Sequence, residues 1–251
     1  MLLMVNLRLL VVSPLAGYLA PHLAAVFEGC HLSSVTAPDQ LDPAIRSKPR
    51  YDAVLLDLTW NDPAYEWSFD GLDVLERFRQ VGRATTVIVA AQGHSFEEDH
   101  LRESSDPERY PEVTHVVYKS EGLPAVTAAV EAAIVGRSAP VHAPVDSKPA
   151  LHRYFSKGRG RTASRLAAAV ASGRAGNYDT LAKVASVAPD TANKLVSYLA
   201  PIILARKEAP AGEPLTQAVV YRWCGERARY LLSWERRNNP VGCPVISRWT
   251  A

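Results

Sequence analysis

Short apolar runs dominate the first half of the chain, while apolar residues at three- and four-residue spacing dominate the second. Runs of this length read as strands buried on both faces, the kind found inside a parallel sheet. They predict strands over 7–12, 32–36 (the weakest), 51–57, 85–91 and 114–118. Helical spacing fills the gaps at 17–28, at 41–46 as a short helix, and from Gly71 through Leu75 and Phe78. At 123–135, Leu123, Val126, Val130 and Ile134 share one face. Residues 97–111 are highly polar and contain two prolines, so the helix before the fifth strand should be short or irregular. Five strands alternating with helices predict an α/β, doubly wound, five-stranded parallel sheet. The third strand ends on Asp57, at the sheet edge where open α/β folds carry their chemistry.

Residues 137–150 hold three prolines and no periodicity, which reads as an extended linker between a domain at 1–136 and one at 151–251. Beyond it the pattern is all-α, with helices expected at 163–172, 179–186, 189–205 and 215–236. Pro189 at a helix start and the small-residue turn Ser186-Val187-Ala188 before it suggest a helix-turn-helix. Leu181, Ala182, Ala185, Val187, Ala192, Leu195, Val196 and Leu199 would form its packed side. Thr191, Asn193, Lys194, Ser197 and Tyr198 would lie on the faces that meet a DNA groove.

Charge sharpens this division. Residues 1–150 carry 12 Lys and Arg against 20 Asp and Glu, a net of −8, whereas residues 151–251 carry 16 against 6, a net of +10. A basic half on an acidic one points to a polyanion as the second half's partner. Cys30, Cys224 and Cys243 are odd in number and widely spaced, which suggests neither a disulfide framework nor a zinc site and fits a cytoplasmic protein. The apolar start, Met1 to Val5, is too short for a membrane span and has no cleavage-site pattern. No membrane partner, cofactor or metal is expected.

The succession around Asp57 closely resembles the receiver domain of bacterial response regulators, in which an aspartate at this place accepts a phosphoryl group. The resemblance implies an acidic pair after strand one to hold Mg²⁺, yet Ser13 and Pro14 stand there. A hydroxyl residue is implied at the end of strand four, where this chain has Ala91, and a switch aromatic on strand five, where it has Val116. Only Asp57 and Lys119 remain of that set. Phosphoryl transfer to a carboxylate needs a cation held by several oxygens, so conventional phosphorylation is not expected. The segment from Asp57 to Gly71 is longer than the resemblance implies and carries Trp60, Tyr65, Trp67 and Phe69. Trp60 and Trp67 could wall a ligand pocket above Asp57, cap it against water, or form a dimer contact.

The second half resembles the output domain of the LuxR/NarL class. The scaffold helix departs from it in having Ala163 and Arg165 for acidic residues, and Ser186 replaces the turn glycine. Candidate phosphate contacts are Lys157, Arg159, Arg161, Arg165, Arg174 and Lys183, and Asn193 is the candidate base reader, through adenine. Together the two resemblances imply a transcription regulator that binds double-stranded DNA as a homodimer, with a small-molecule effector or regulatory protein as its input. A conventionally phosphorylated response regulator and a protein- or RNA-interaction module without an operator remain as alternatives. No catalytic triad spacing, phosphate loop or metal-ligand cluster supports an enzyme.

Overall fold

A computed structural model of the protein describes residues 6–83, 85–137, 148–212 and 214–240. The chain divides into two compact units, Met1–Pro144 and Val145–Ala251. Most of the expected linker, 138–147, lies outside the described residues, as do Cys243 and the rest of the C-terminal end.

The first unit runs β1 (Arg8–Val12), α1 (Ala16–Val26), β2 (His31–Val35), α2 (Leu41–Ser47), β3 (Ala53–Asp57), α3 (Gly71–Gln80), β4 (Thr86–Ala91), α4 (Glu98–Ser104), β5 (Val113–Tyr118) and α5 (Gly122–Ile134). All pairings are parallel, in the order β2-β1-β3-β4-β5. The expected strands end within two residues of those observed, the ordinary spread for element boundaries. Side chains alternate across the sheet. Leu9, Val11, Leu55, Ile88 and Ala90 pack with Leu23 of α1 and with Val126 and Val130 of α5. Leu10, Val12, Val54, Leu56, Val87 and Val89, of opposite parity, are buried on the other face. The polar stretch before β5 holds only the seven-residue α4, entered through a 3₁₀ turn at Ser95–Glu97.

Gly71 fixes how α3 meets β3. A Cβ there would lie 2.6 Å from the Asp57 carbonyl oxygen and 3.0 Å from Leu58 Cα, so only glycine lets the helix start this close. Asp70 caps that start, accepting from the Leu72 and Asp73 amides at 2.8 and 3.3 Å, while Asp73 accepts from the Asp70 amide at 2.9 Å.

The second unit runs α6 (Leu151–Phe155), α7 (Arg159–Ala171), α8 (Tyr178–Val184), α9 (Pro189–Ala192), α10 (Leu195–Ala205), α11 (Gln217–Glu226) and α12 (Ala228–Asn238). The alanine-rich α7 forms its centre, with Leu166, Ala167, Ala168 and Ala169 fully buried and α6, α8, α10, α11 and α12 packed around it. Two expected helices are each broken. The helix expected over 189–205 ends at Ala192 and restarts at Leu195, because the Lys194 amide tightens onto Thr191 and Lys194 itself leaves helical geometry at φ −95°, ψ 15°. Asn193, a residue that favours turns over helix interiors, sits at this break. The helix expected over 215–236 breaks at Arg227, at φ −113°. Gly225 weakens the helix just before it, and the Arg227 guanidinium is drawn onto the Trp223 ring and Glu208.

Those contacts belong to a buried charge cluster. Arg206, 1% exposed, donates to both oxygens of Glu208 at 2.9 and 3.0 Å and to the Pro149 carbonyl at 2.5 Å. The Trp223 indole donates to Glu208 at 2.8 Å, and Arg227 approaches it at 2.9 Å. One carboxylate thus ties together the end of α10, α11 and the start of α12. Among the described residues, no helix is long and apolar enough to cross a membrane.

Candidate functional site

Asp57 ends β3 with its side chain almost wholly buried, at 2% exposure. Its Oδ2 accepts from Ser13 Oγ at 2.6 Å and from Lys119 Nζ at 2.6 Å. Parallel pairing of β1 with β3, and of β3 and β5 with β4, brings these three residues to one edge of the sheet from three strand ends. Ser13 also accepts the Leu15 amide at 3.0 Å, so its hydroxyl is held at both ends. Burial pushes the Asp57 carboxyl above its ordinary range. The Lys119 ammonium and the Ser13 hydroxyl pull it back without cancelling that push, and the nearby Glu97 carboxylate adds to it.

The remaining residues of the expected pocket are buried to different degrees. Pro14 is half-buried and Ala91 fully buried, so neither presents a polar group toward Asp57. Trp60 is 1% exposed, with Phe69 and Tyr65 packed edge-on at ring-centre distances of 4.8 and 6.0 Å. Trp67 is half-buried on the same excursion. The excursion folds on itself through Tyr65 and Glu66 amides bonded to the Asp62 carbonyl, then rejoins β3 where Thr59 bridges to Asp70. Trp60 is therefore packed within the excursion itself.

Glu97 is the residue that sequence reasoning missed. It is 2% exposed, and one carboxylate oxygen accepts from the Gln92, Gly93 and His94 amides at 2.8, 2.9 and 3.3 Å. The other oxygen takes the Thr59 hydroxyl. Three amides converging on one anion form a nest that fixes the β4–α4 turn. Beside it lies a cleft of about 180 Å³ lined by Ala91, His94, Glu98, Leu101 and Tyr118, among others. The only signal available beforehand was an acidic residue in a polar segment, which resembles any solvated loop. The histidines divide: His94 is exposed and stacks on Phe96, His100 is buried 3.6 Å from Asp70, and His115 is buried beside Thr114.

In the second unit, Arg161, Lys183, Asn193, Lys194 and Ser197 are exposed, and Thr191 and Tyr198 half-buried. Leu181, Ala182, Ala185, Ala192, Leu195 and Leu199 are buried beneath them, while Val187 and Val196 are only half-buried. Asn193 and Lys194 occupy the α9–α10 break itself. Arg165 donates to the Ser186 carbonyl and braces the turn between α8 and α9, where Ser186 takes φ +50°, a conformation that favours glycine.

No family model matches the chain, and no curated protein matches it. Solved structures do. RcsB from Salmonella enterica serovar Typhimurium, bound to promoter rprA in the presence of phosphomimetic BeF3−, is 13% identical. The match covers 87% of this chain and 98% of that one, with a TM-score of 0.50. The chain has a response-regulator fold. A receiver domain protein from Clostridium thermocellum covers 52% of this chain and 96% of its own, at 13% identity and a TM-score of 0.40. Full-length FixJ from B. japonicum covers 88% and 96%, at 16% identity and a TM-score of 0.38. In this chain Ser13 and Lys119 engage the aspartate that ends β3.

Proposed function

We propose that this protein is a DNA-binding transcription regulator whose receiver-like unit works without phosphorylation. The observation that carries the DNA reading is the exposed set Lys183, Asn193, Lys194 and Ser197 around the α8–α9–α10 turn, on a half of the chain with net charge +10. Cations there and at Arg161 suit backbone phosphates, and the Asn193 amide suits a base edge. The RcsB relative of the same two-unit fold was captured on a promoter, which supports the same partner here.

Independence from phosphorylation rests on Asp57. Its carboxylate is buried, one oxygen already takes two donors, and Ser13, Pro14 and Ala91 bring no further acid or hydroxyl to hold Mg²⁺ and a phosphoryl group. Input then comes from a small ligand or a partner protein in a cytoplasmic setting. Mapping the DNA bound in cells, followed by gel retardation of a recovered fragment against excess random DNA, tests the function. A protein that retards both DNAs alike, or neither, is not an operator-reading regulator. Intact-mass measurement after incubation with Mg²⁺ and acetyl phosphate tests the site. A stoichiometric adduct that disappears in Asp57→Asn would overturn the phosphorylation-independent reading.

A further inference from the structure

Helix α8 ends in a motif that ordinarily carries glycine. The Val187 amide reaches back to the Ala182 carbonyl at 2.9 Å, and the Ser186 amide to the Lys183 carbonyl at 3.2 Å. That pair of bonds sets Ser186 just past the helix end in left-handed geometry, at φ +50°. A serine Cβ crowds its own carbonyl there, a cost that glycine avoids. The carbonyl in question is the one that takes the Arg165 guanidinium. Arg165 stands on α7, the centre of the unit, and its Nε is buried without an acceptor. Glu235 of α12, 3% exposed, lies beside it. Burial pushes the Glu235 carboxyl up, while the Asn239 amide, the Arg165 charge and the Ser164 hydroxyl pull against that push.

We propose that Arg165 is a positioning residue for DNA reading, which holds Ser186 left-handed in glycine's place and so fixes how α9 is presented. The inference rests on the DNA-binding reading above and assigns one residue a role within it. Pro189 opens α9 three residues after Ser186, and Asn193 and Lys194 follow at the break. A turn of the Ser186 peptide would swing all of them relative to Lys183 on α8. Hydrogen bonds to base edges are directional, whereas attraction to phosphates tolerates such a shift. A guanidinium committed to a carbonyl, with its Nε buried, is also poorly placed to neutralise a phosphate.

The test is a set of binding isotherms of the full chain at several salt concentrations, on an operator fragment recovered from cells and on random DNA. Arg165→Ala should lower the operator-to-random affinity ratio by about tenfold, the discrimination one base contact carries. The salt slope on random DNA should not change. A lost phosphate contact would instead reduce that slope by about one and weaken both DNAs alike, a result that overturns the proposal. Ser186→Gly should bind as wild type does. In that background Arg165→Ala should change the ratio by less than about twofold, since glycine holds the turn unaided. Equal losses in the two backgrounds overturn the proposal as well. Arg165→Ala strands the Glu235 carboxyl, so circular dichroism and melting are read first, and Arg165→Ala with Glu235→Gln takes its place if it does not fold. Failure of both to fold in either background would make Arg165 a core residue and end the proposal. A wild type that reads no operator removes the function and this role with it, whereas equal losses with operator binding intact remove the brace alone.

Discussion

Lys119→Met removes the ammonium from Asp57 while keeping the length and packing of the side chain. What remains beside the carboxylate is the Ser13 hydroxyl at 2.6 Å and the Glu97 carboxylate, whose field is unfavourable. Breaking a fully buried pair costs about 3–5 kcal/mol. Lys119 is 23% exposed and Asp57 2%, so solvent screening lowers the expected loss at pH 7 to about 2–3 kcal/mol. The loss should depend on pH with a definite sign. Burial already raises the Asp57 carboxyl, and without Lys119 it rises further, so the folded variant takes up a proton. A group raised on folding is most stabilising below its unfolded value, near 3.9, and loses that contribution as pH climbs through its folded value. The gap between variant and wild type should therefore be small at pH 4 and widen with pH by up to about 1.4 kcal/mol per unit. Urea dependence of hydrogen exchange at the β3 amides reads this unit separately from the helical one. Asp57→Asn in the same background should abolish the pH dependence. An equal loss at pH 4 and pH 7, or no loss, would refute the claim that Lys119 compensates a buried charge.

Other outcomes follow from the same structure. Gly71→Ala should destabilise the first unit by about 1–3 kcal/mol, since its Cβ would press on backbone atoms that cannot move aside; a melting temperature at the wild-type value would show that α3 can shift. In the second unit, burial pushes Glu208 up, but Arg206, Trp223 and Arg227 outweigh it and hold the carboxyl at about 2 against an ordinary 4.5. That shift contributes about 3 kcal/mol above pH 4.5, lost as pH falls through 2, and Glu208→Gln should flatten the acid limb in a melting series. Lys183→Ala and Arg161→Ala should weaken operator and random DNA alike and reduce the salt slope, whereas Asn193→Ala should cost about 1–3 kcal/mol on the operator only. Binding isotherms at several salt concentrations separate the two, and an equal loss on both DNAs for Asn193→Ala would take the base-reading role away from it.

The centre of the sheet was legible because β1, β3 and β4 are apolar runs in which nearly every residue is buried, so periodicity and burial report the same thing there, whereas the edge strands β2 and β5 are only partly buried. Asp57 stood out for the same reason, as a carboxylate closing such a run. The breaks at Lys194 and Arg227 were not legible, because both lie inside stretches of sound helical spacing: the first comes from a locally tightened turn, the second from the pull of Glu208, distant in sequence, on Arg227. Glu97 and Glu208 escaped for a related reason. Each is buried only because partners distant in sequence or on the main chain converge on it, and neither backbone amides nor a guanidinium 19 residues away, as Arg227 is from Glu208, leaves a mark in local composition.

The Glu97 nest bears on what could be built at the Asp57 edge of the sheet. Acids placed at positions 13 and 14 would give a cation something to bind, but the three amides of the β4–α4 turn would still be occupied by the chain's own carboxylate. An engineer adding anion affinity at that turn would have to change Glu97 as well. Changed first, on its own, Glu97 would leave those amides and the Thr59 hydroxyl without their acceptor and cost stability before anything was gained. For a designer, the order of substitutions thus matters more than their number.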